Sequence, residues 1–509
     1  MDSLKKRYFY KLGAGFFSTA SLGAIQALVL RALGPMGYGD FNFLNTFFIQ
    51  VITFLDMGTA DGFYTKLSKR PKETGLVAFY YIFIVSSCIG ILVLTFLACA
   101  SPYAGLIWPG QQARYVVMGA VLGILTWMHL VLNKSSDAYG LTVPAEAGRV
   151  IQKVIGIVLL ALLVWFHRLT LTSFFIFWYL LMAFLGMYFI WVNRRHGYPL
   201  PSSFRLRPDQ FKSYASEFYS YGHPLAVHGA VAFITAILGR WLLQHFSGSV
   251  QQAYFGLSYQ IANACFLGVR LMAPLLMREF SLLHQKRDIP EMAALFRKHI
   301  PLLFSVTAYF ACFIALQSDT VIRILGGSAY AEAGTAVMLM SLSSIHQTYG
   351  LLSGSVFLAT GRTKLYRNVG IFTMLAGLAL NYFLLAPASA GGLHLGATGF
   401  ALQTLVTQFV GVNVQLYLNA KYLRLPFLRY VGHQVASFSV LLALAYAART
   451  FADALVGQGP LWIAGFVLAG VFYTVAAGAL AWTWPRLFGL TSGQLASLLD
   501  GFRAKRACA

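Results

Sequence analysis

Long apolar runs alternate with short polar turns along the whole chain, and the alternation repeats about fourteen times. The first six runs lie near 12–32, 42–63, 76–99, 114–134, 147–167 and 171–192. The next six lie near 222–246, 252–277, 298–318, 333–358, 365–386 and 394–418, and two more near 430–449 and 461–484. Each approaches the roughly 20 residues that cross a bilayer as a helix. The pattern predicts an all-α polytopic membrane protein with about 14 transmembrane helices. A more polar stretch, NRRHGYPLPSSFRLRPDQFKSYASEF, separates the sixth run from the seventh. Four segments follow: 1–192 with spans 1–6, a basic linker at 193–221, 222–420 with spans 7–12, and 421–509 with two further spans and a basic tail.

Polar residues inside these runs are expected to avoid lipid. The seventh run carries Arg240 well within its apolar length. Ala226, Gly229, Phe233, Ala236, Arg240 and Gln244 recur at three- and four-residue steps and share one helical stripe. Opposite lie Val227, Val231, Ile234, Leu238 and Leu242, a face suited to lipid. The stripe suits a helix lining a chamber open to an anion; the alternative is an arginine paired with a neighbouring helix or snorkelling to the headgroups. In the second run Asn42, Asn45, Thr53 and Asp56 share a stripe. In the eighth, Tyr259, Asn263 and Arg270 do, with Pro274 expected to bend the helix beyond them. Arg149 and Lys153 sit four apart beside Gln152 and Gly156 in the fifth run, and Lys134 closes the fourth near Asp137. His346 and Gln347 interrupt the tenth, and the first contributes Gly15, Ser18, Thr19, Gln26 and a terminal Arg31. Each has a plainer reading: Asn and Thr bond helices together, and cations near a cytoplasmic face follow from topology.

Composition narrows the class. The chain of 509 residues is 58% hydrophobic and only 11% charged, with a mean hydropathy of +0.66, too little charge for a soluble surface. A net charge of +22 raises the question of nucleic acid, but the cations cluster in short loops between apolar runs. Of 38 Lys and Arg, 31 fall in the N-terminus, alternate loops and the C-terminal tail; the opposite loops hold Arg31, Arg114, Arg168, Arg323 and Arg449. That bias places both termini in the cytoplasm and argues against nucleic acid as a partner. The N-terminal MDSLKKRYFYK reads as the lead into a first membrane helix, without a clear cleavage site. Cys88, Cys99, Cys265, Cys312 and Cys508 show no metal spacing, so neither a disulfide framework nor a metal or cofactor site is expected. Short outer loops leave no soluble domain, which points to transport before catalysis. Acidic residues in or at the ends of spans reduce to Asp56, Asp61 and Asp319, so a wet cavity here would attract anions.

The turn after the first run, LGPMGYGDFNFLN, and that after the seventh, FSGSVQQAYFGLSYQI, both contain glycine and place a tyrosine at the next helix start. Such symmetry is used by transporters that alternate access around a central site. RALGPMGYGDFNFLNTF with FLDMGTADGF resembles the opening of O-antigen and capsule type polysaccharide flippases, within the multidrug, oligosaccharidyl-lipid and polysaccharide exporter superfamily. The resemblance continues at LGRWLLQHFSGSVQQAYFGLSYQIA, IRILGGSAYAEAGTAVMLM, the GRTK turn, Asn381 and GATGFALQTLV, and covers most of the chain. One departure is Gly239, where the family often has an Asp before the seventh-span arginine.

The resemblance implies two six-helix lobes plus two C-terminal helices in a bacterial inner membrane. The implied substrate is an oligosaccharide repeat unit on a polyprenyl pyrophosphate, moved to the outer leaflet by a protein that is not an enzyme. Membrane lipids, and the glycosyltransferases and polymerase of one pathway, are the implied partners. A pyrophosphate suits the planar fork of arginine. Arg240 and Arg270, with Arg31, Arg149 and Lys153, are the expected cationic lining; Asn45, Tyr259, Asn263 and Gln244 would add polar contacts, and Asp56 is the candidate for ion coupling. Two rivals remain. A cation-coupled drug exporter of the same superfamily would want an acidic chamber. A membrane enzyme of polysaccharide assembly would want a large outer loop or a membrane histidine with a partner, for which His129 and His346 are the available candidates. No phosphate loop, metal motif or nucleophile elbow stands in a suitable context.

Overall fold

The computed structural model describes residues 4–198, 200, 205–457 and 461–490, without the side chains of 4–20, 22 and 221–226. Gly15, Ser18, Thr19 and Ala226 are therefore described by their backbone alone, and the basic tail with Cys508 lies outside the described residues. Among the described residues there are helices and turns but no strand.

Among the described residues sixteen α-helices follow one another: α1 (Leu4–Asp56), α2 (Thr59–Lys69), α3 (Thr74–Ala100), α4 (Ala104–Ile107), α5 (Ala113–Ala138), α6 (Thr142–Trp165), α7 (Leu171–Arg195), α8 (Pro208–Cys265), α9 (Leu267–Gln285), α10 (Ile289–Leu316), α11 (Ser318–Leu325), α12 (Gly334–Ala359), α13 (Thr363–Leu385), α14 (Gly396–Tyr422), α15 (Phe427–Val456) and α16 (Trp462–Thr483). All fourteen apolar runs are helical, so this is an all-α, multi-pass membrane protein. Among the described residues nine helices are long and apolar enough to cross a membrane singly; a tenth span arises if the last part of α1 and α2, bent by 52° at their junction, count as one. α12 falls outside that count for a physical reason. Its Ser341, Ser343, Ser344, Thr348 and Ser353 are buried within the protein, so low hydropathy costs it nothing against lipid.

Helix ends follow local chemistry. Thr170 and Ser173 close a reciprocal capping box at the start of α7. The Asp288 side chain accepts from the Glu291 N–H at the start of α10, where Pro290 occupies the first turn. The 53-residue α1 is two helices broken at Gly34 (φ 67°, ψ 175°), just before Pro35. The 58-residue α8 breaks at Gly248 with nearly the same backbone (φ 75°, ψ −174°). A positive φ of this kind belongs to glycine. The two similar turns noted in the sequence thus share one backbone device. The eighth run bends at a different place from that expected: the helix ends at Cys265 and restarts at Leu267 across Phe266, while Pro274 lies inside α9.

The chain folds as two compact units, Met1–Ala253 and Tyr254–Ala509. In the first, α1 packs on α5 and α6, and α5 on α2, α3 and α7. Phe43, Phe63, Tyr80, Trp127, Phe175, Phe177 and Phe189 are fully enclosed there. The seventh run, in α8, belongs to this unit up to Ala253. Part of the polar segment before it is also ordered: α8 begins at Pro208, and Phe211, Tyr214 and Phe218 pack their rings on Phe79. In the second unit α12 is central, packed by α9, α10, α13 and α14, while α15 and α16 pair and α15 lies on α10. Phe280, Phe296, Phe304, Tyr349 and Tyr473 anchor its apolar core.

Candidate functional site

Arg240 sits two turns before the Gly248 break, half-buried on the predicted stripe. Phe233 on that stripe stacks on Phe54 of α1 at 4.5 Å between ring centres, so this face of α8 lies against the second half of α1. The Arg240 guanidinium donates through Nη1 to Asn42 Oδ1 (3.2 Å) and Gln252 Oε1 (3.1 Å). The Gln252 amide donates back to the Arg240 carbonyl at 2.5 Å. Asn42 follows the break in α1, and Gln252 the break in α8, so each broken helix delivers one amide to the same guanidinium. Tyr38, enclosed at 1% exposure, bonds the Gln26 and Asn42 side chains and lies within the field of Arg240. These two bonds to neutral amide oxygens orient the guanidinium fork.

A second layer lies beside it. Asp40 Oδ1 accepts from Ser249 Oγ (2.5 Å) and Gln111 Nε2 (2.7 Å). Buried Gln244 donates to Ser249 Oγ (3.0 Å) and to the Pro109 carbonyl (3.1 Å), and Trp241 Nε1 to the Leu106 carbonyl (2.7 Å). The 101–112 turn, with its short α4, is thereby tied to α8. The backbones meet very closely: a methyl added at Gly39 would stand 1.8 Å from the Ser249 carbonyl oxygen.

The other candidates fall in separate places. Asn45 is half-buried one turn beyond Asn42, and Arg31 is exposed just before the Gly34 break. Arg149 is ion-paired with buried Glu146 at 2.8 Å on its own helix, and half-buried Lys153 lies one turn further on. Both act electrostatically on His129 of α5. Lys134 pairs with Asp61, not with the nearby Asp137, and lies over the Tyr64 ring. Asp56 Oδ1 accepts from the Ala60 N–H (3.2 Å), Thr59 (3.3 Å), Tyr80 (3.3 Å) and Trp127 Nε1 (3.4 Å), a local knot that fixes the α1–α2 corner. In the other unit Tyr259 is 48% exposed, Asn263 half-buried and Arg270 exposed; the Phe266 break divides the first two from Arg270.

Against solved structures this architecture is similar to the lipid II flippase MurJ in an inward closed conformation, with a TM-score of 0.67 at 12% identity over 93% of this chain and 98% of that one. It is similar to an inward-facing multidrug resistance MATE family transporter of the MOP superfamily, with a TM-score of 0.64 at 13% identity over 82% of this chain and 98% of that one. A third is a MOP superfamily transporter from Pyrococcus furiosus, described by a reverse polarity of its binding pocket, with a TM-score of 0.53 at 14% identity over 83% of this chain and 97% of that one. The chain has the fold of MOP-superfamily transporters. No protein-family model and no curated protein matches its sequence.

Within that fold, several partners escaped the sequence reading. Asp40, Gln252 and Ser249 stand inside the two quoted turns, where their symmetry drew more notice than their chemistry. Gln111 lies in the 101–112 turn, 71 positions from Asp40 along the chain. Glu146 carried a local signal, its i, i+3 spacing to Arg149.

Proposed function

We propose that this protein is a flippase that moves a polyprenyl-pyrophosphate-linked oligosaccharide from the inner to the outer leaflet of a bacterial cytoplasmic membrane, by alternating access. The observation that carries this reading is the extent of the flippase match. The lipid II flippase aligns with 93% of the chain, whereas the MATE transporter aligns with 82%. That gap, applied to 509 residues, is about the length of α15 and α16 together. A neighbour named for a lipid-linked substrate is thus matched over more of this chain than one named for drug resistance.

The residue chemistry supports an anionic cargo. Arg240 presents a guanidinium held by two neutral amides beside two broken helices, a setting in which a pyrophosphate would gain charge-assisted bonds to offset its desolvation. Arg270, Arg31 and Lys153 are proposed as further cations on the substrate's route, with Asn45, Tyr259, Asn263 and Gln244 as sugar contacts. Arg149 is a weaker member because Glu146 already neutralises it. Asp56 is proposed as a coupling site only in a state where its local bonds open. Glycosyltransferases and a polymerase of one pathway are the proposed working partners.

The multidrug exporter reading rests on the 0.64 similarity to the MATE transporter. Deleting the gene and quantifying lipid-linked oligosaccharide separates the two. Complete repeat units accumulating in the inner leaflet support the flippase; normal glycan with greater sensitivity to cationic compounds supports the exporter.

A further inference from the structure

We infer that the groove between α13 and α14 is a binding site for one anionic glycerophospholipid, independent of the transported substrate. The groove has a volume of about 420 Å³ and is lined by Asn368, Phe372, Ala376 and Leu380 on α13 and by Val406, Val410 and Val414 on α14, among others. Its walls are open to the surroundings: Phe372 is 71% exposed and Val410 51%. Lipid-facing walls alone would accept any acyl chain, so the identity of the occupant comes from the groove's two dimensions, length and charge.

Length favours a single leaflet. The twelve-residue step from Asn368 to Leu380 covers about 18 Å at 1.5 Å per residue, a little over half of a hydrocarbon core of about 30 Å. An acyl chain of one leaflet fits this, whereas a long polyprenyl chain would overrun it.

Charge favours an anionic headgroup. At the end marked by Asn368 and Val414 the basic residues gather: Lys364 and Arg367 at the start of α13, and Lys421 at the end of α14. Arg367 is tied to the groove's lining through Asn368. Its Nε and Nη2 both donate to Asn368 Oδ1, at 3.2 and 3.1 Å, and Asn368 forms the groove's rim. Lys364 and Lys421 are exposed beside it. The positive-inside bias puts this mouth at the cytoplasmic face, where anionic headgroups lie. The floor is rigid, since Gly411 packs so closely on Thr373 that an added methyl would stand 2.8 Å from its side chain. A phosphate at the mouth and an acyl chain along the walls satisfy both features with one molecule.

The test uses the full chain in nanodiscs of phosphatidylcholine doped with phosphatidylglycerol, with retained lipid counted by native mass spectrometry. The wild type should keep one phosphatidylglycerol in preference to phosphatidylcholine. Arg367→Gln and Lys364→Gln should each weaken that preference about fivefold, as expected for about 1 kcal/mol per cation at an anionic surface. Ala376→Trp, an exposed position that fills the groove, should abolish retention of the lipid while leaving helix content and melting unchanged. Equal retention of both lipids by the wild type, or unaltered retention in Ala376→Trp, would overturn the site. Displacement of phosphatidylglycerol by an equimolar polyprenyl phosphate would overturn the assignment of its occupant. Because the readout is lipid retention and not transport, failure here leaves the flippase reading untouched.

Discussion

Gly39→Ala should destabilise the first unit although alanine is the better helix former. Gly39 lies within the helical second half of α1, and its replacement in an ordinary helix would gain up to about 1 kcal/mol. Here the new methyl would sit 1.8 Å from the Ser249 carbonyl oxygen and 2.5 Å from its carbon, where ordinary contact begins near 3.4 Å. The atoms met are Ser249 backbone and a Cβ is fixed by its own backbone, so no rotamer relieves the clash. The two broken helices must part by more than 1 Å, which strains the Asp40–Ser249 and Asp40–Gln111 bonds that bridge them. Overpacking typically costs about 1–3 kcal/mol, and each weakened bond to a charged group about 1.5–3 kcal/mol at most. A net loss of about 2–4 kcal/mol is expected once the propensity gain is subtracted. Thermal denaturation of the detergent-purified protein, followed by intrinsic tryptophan fluorescence, measures it. Gly229→Ala is the control, because open space surrounds it and its φ is ordinary; it should be neutral or slightly stabilising. Equal melting of the two variants would refute the close approach of the helix breaks.

Further outcomes follow from named residues. Arg240→Gln should cut export by about tenfold or more at normal protein levels, as loss of a charge-assisted contact implies; Arg240→Lys should recover only part of it, lacking the planar fork. If Arg240→Gln and Arg270→Gln both leave export unchanged, the cationic lining is misassigned. Asp56→Asn keeps an acceptor oxygen for the donors of Thr59, Tyr80 and Trp127 and should fold normally, whereas Asp56→Ala should lose about 2–3 kcal/mol. Transport by Asp56→Asn that still responds to an ion gradient would remove Asp56 from coupling. Glu217 is held by Lys66 (2.6 Å) and Arg70 (2.7 Å). Burial pushes its carboxyl up, but the hydrogen bonds and charges of Lys66 and Arg70 outweigh burial and leave it below the ordinary 4.5. Its stabilisation is therefore complete above that value and fades as pH falls beneath it. Melting of the wild type against Glu217→Gln should show a gap at neutral pH that closes on acidification, and a gap independent of pH would contradict the pairing.

The helices were legible because each is written locally. Apolar runs and the glycine-containing turns between them act within a few residues. What stayed hidden depends on distance along the chain. Glu217 meets Lys66 across 151 positions and Asp40 meets Ser249 across 209, and nothing in either segment announces the other. The stripe on α8 was readable as a face over its first turns, since Val227, Ile234 and Leu238 opposite are exposed, but not at its end, where Leu242 on the expected lipid face is buried as Gln244 is. Its neighbour was not: periodicity says which residues turn from lipid, not that Asn42 and Phe54 receive them. The bend expected at Pro274 illustrates the converse. Pro274 lacks the N–H that would bond the Arg270 carbonyl one turn back, yet α9 continues through it.

The central claim is transport of a lipid-linked saccharide, and the most direct test follows that lipid across a bilayer. The purified protein would be placed in liposomes with a fluorescent polyprenyl-pyrophosphate oligosaccharide, and the fraction protected from a membrane-impermeant quencher followed in time. The account predicts protein-dependent exchange between leaflets that Arg240→Gln slows. Exchange no faster than in protein-free liposomes, alongside uptake of a cationic dye by the same preparation, would contradict it.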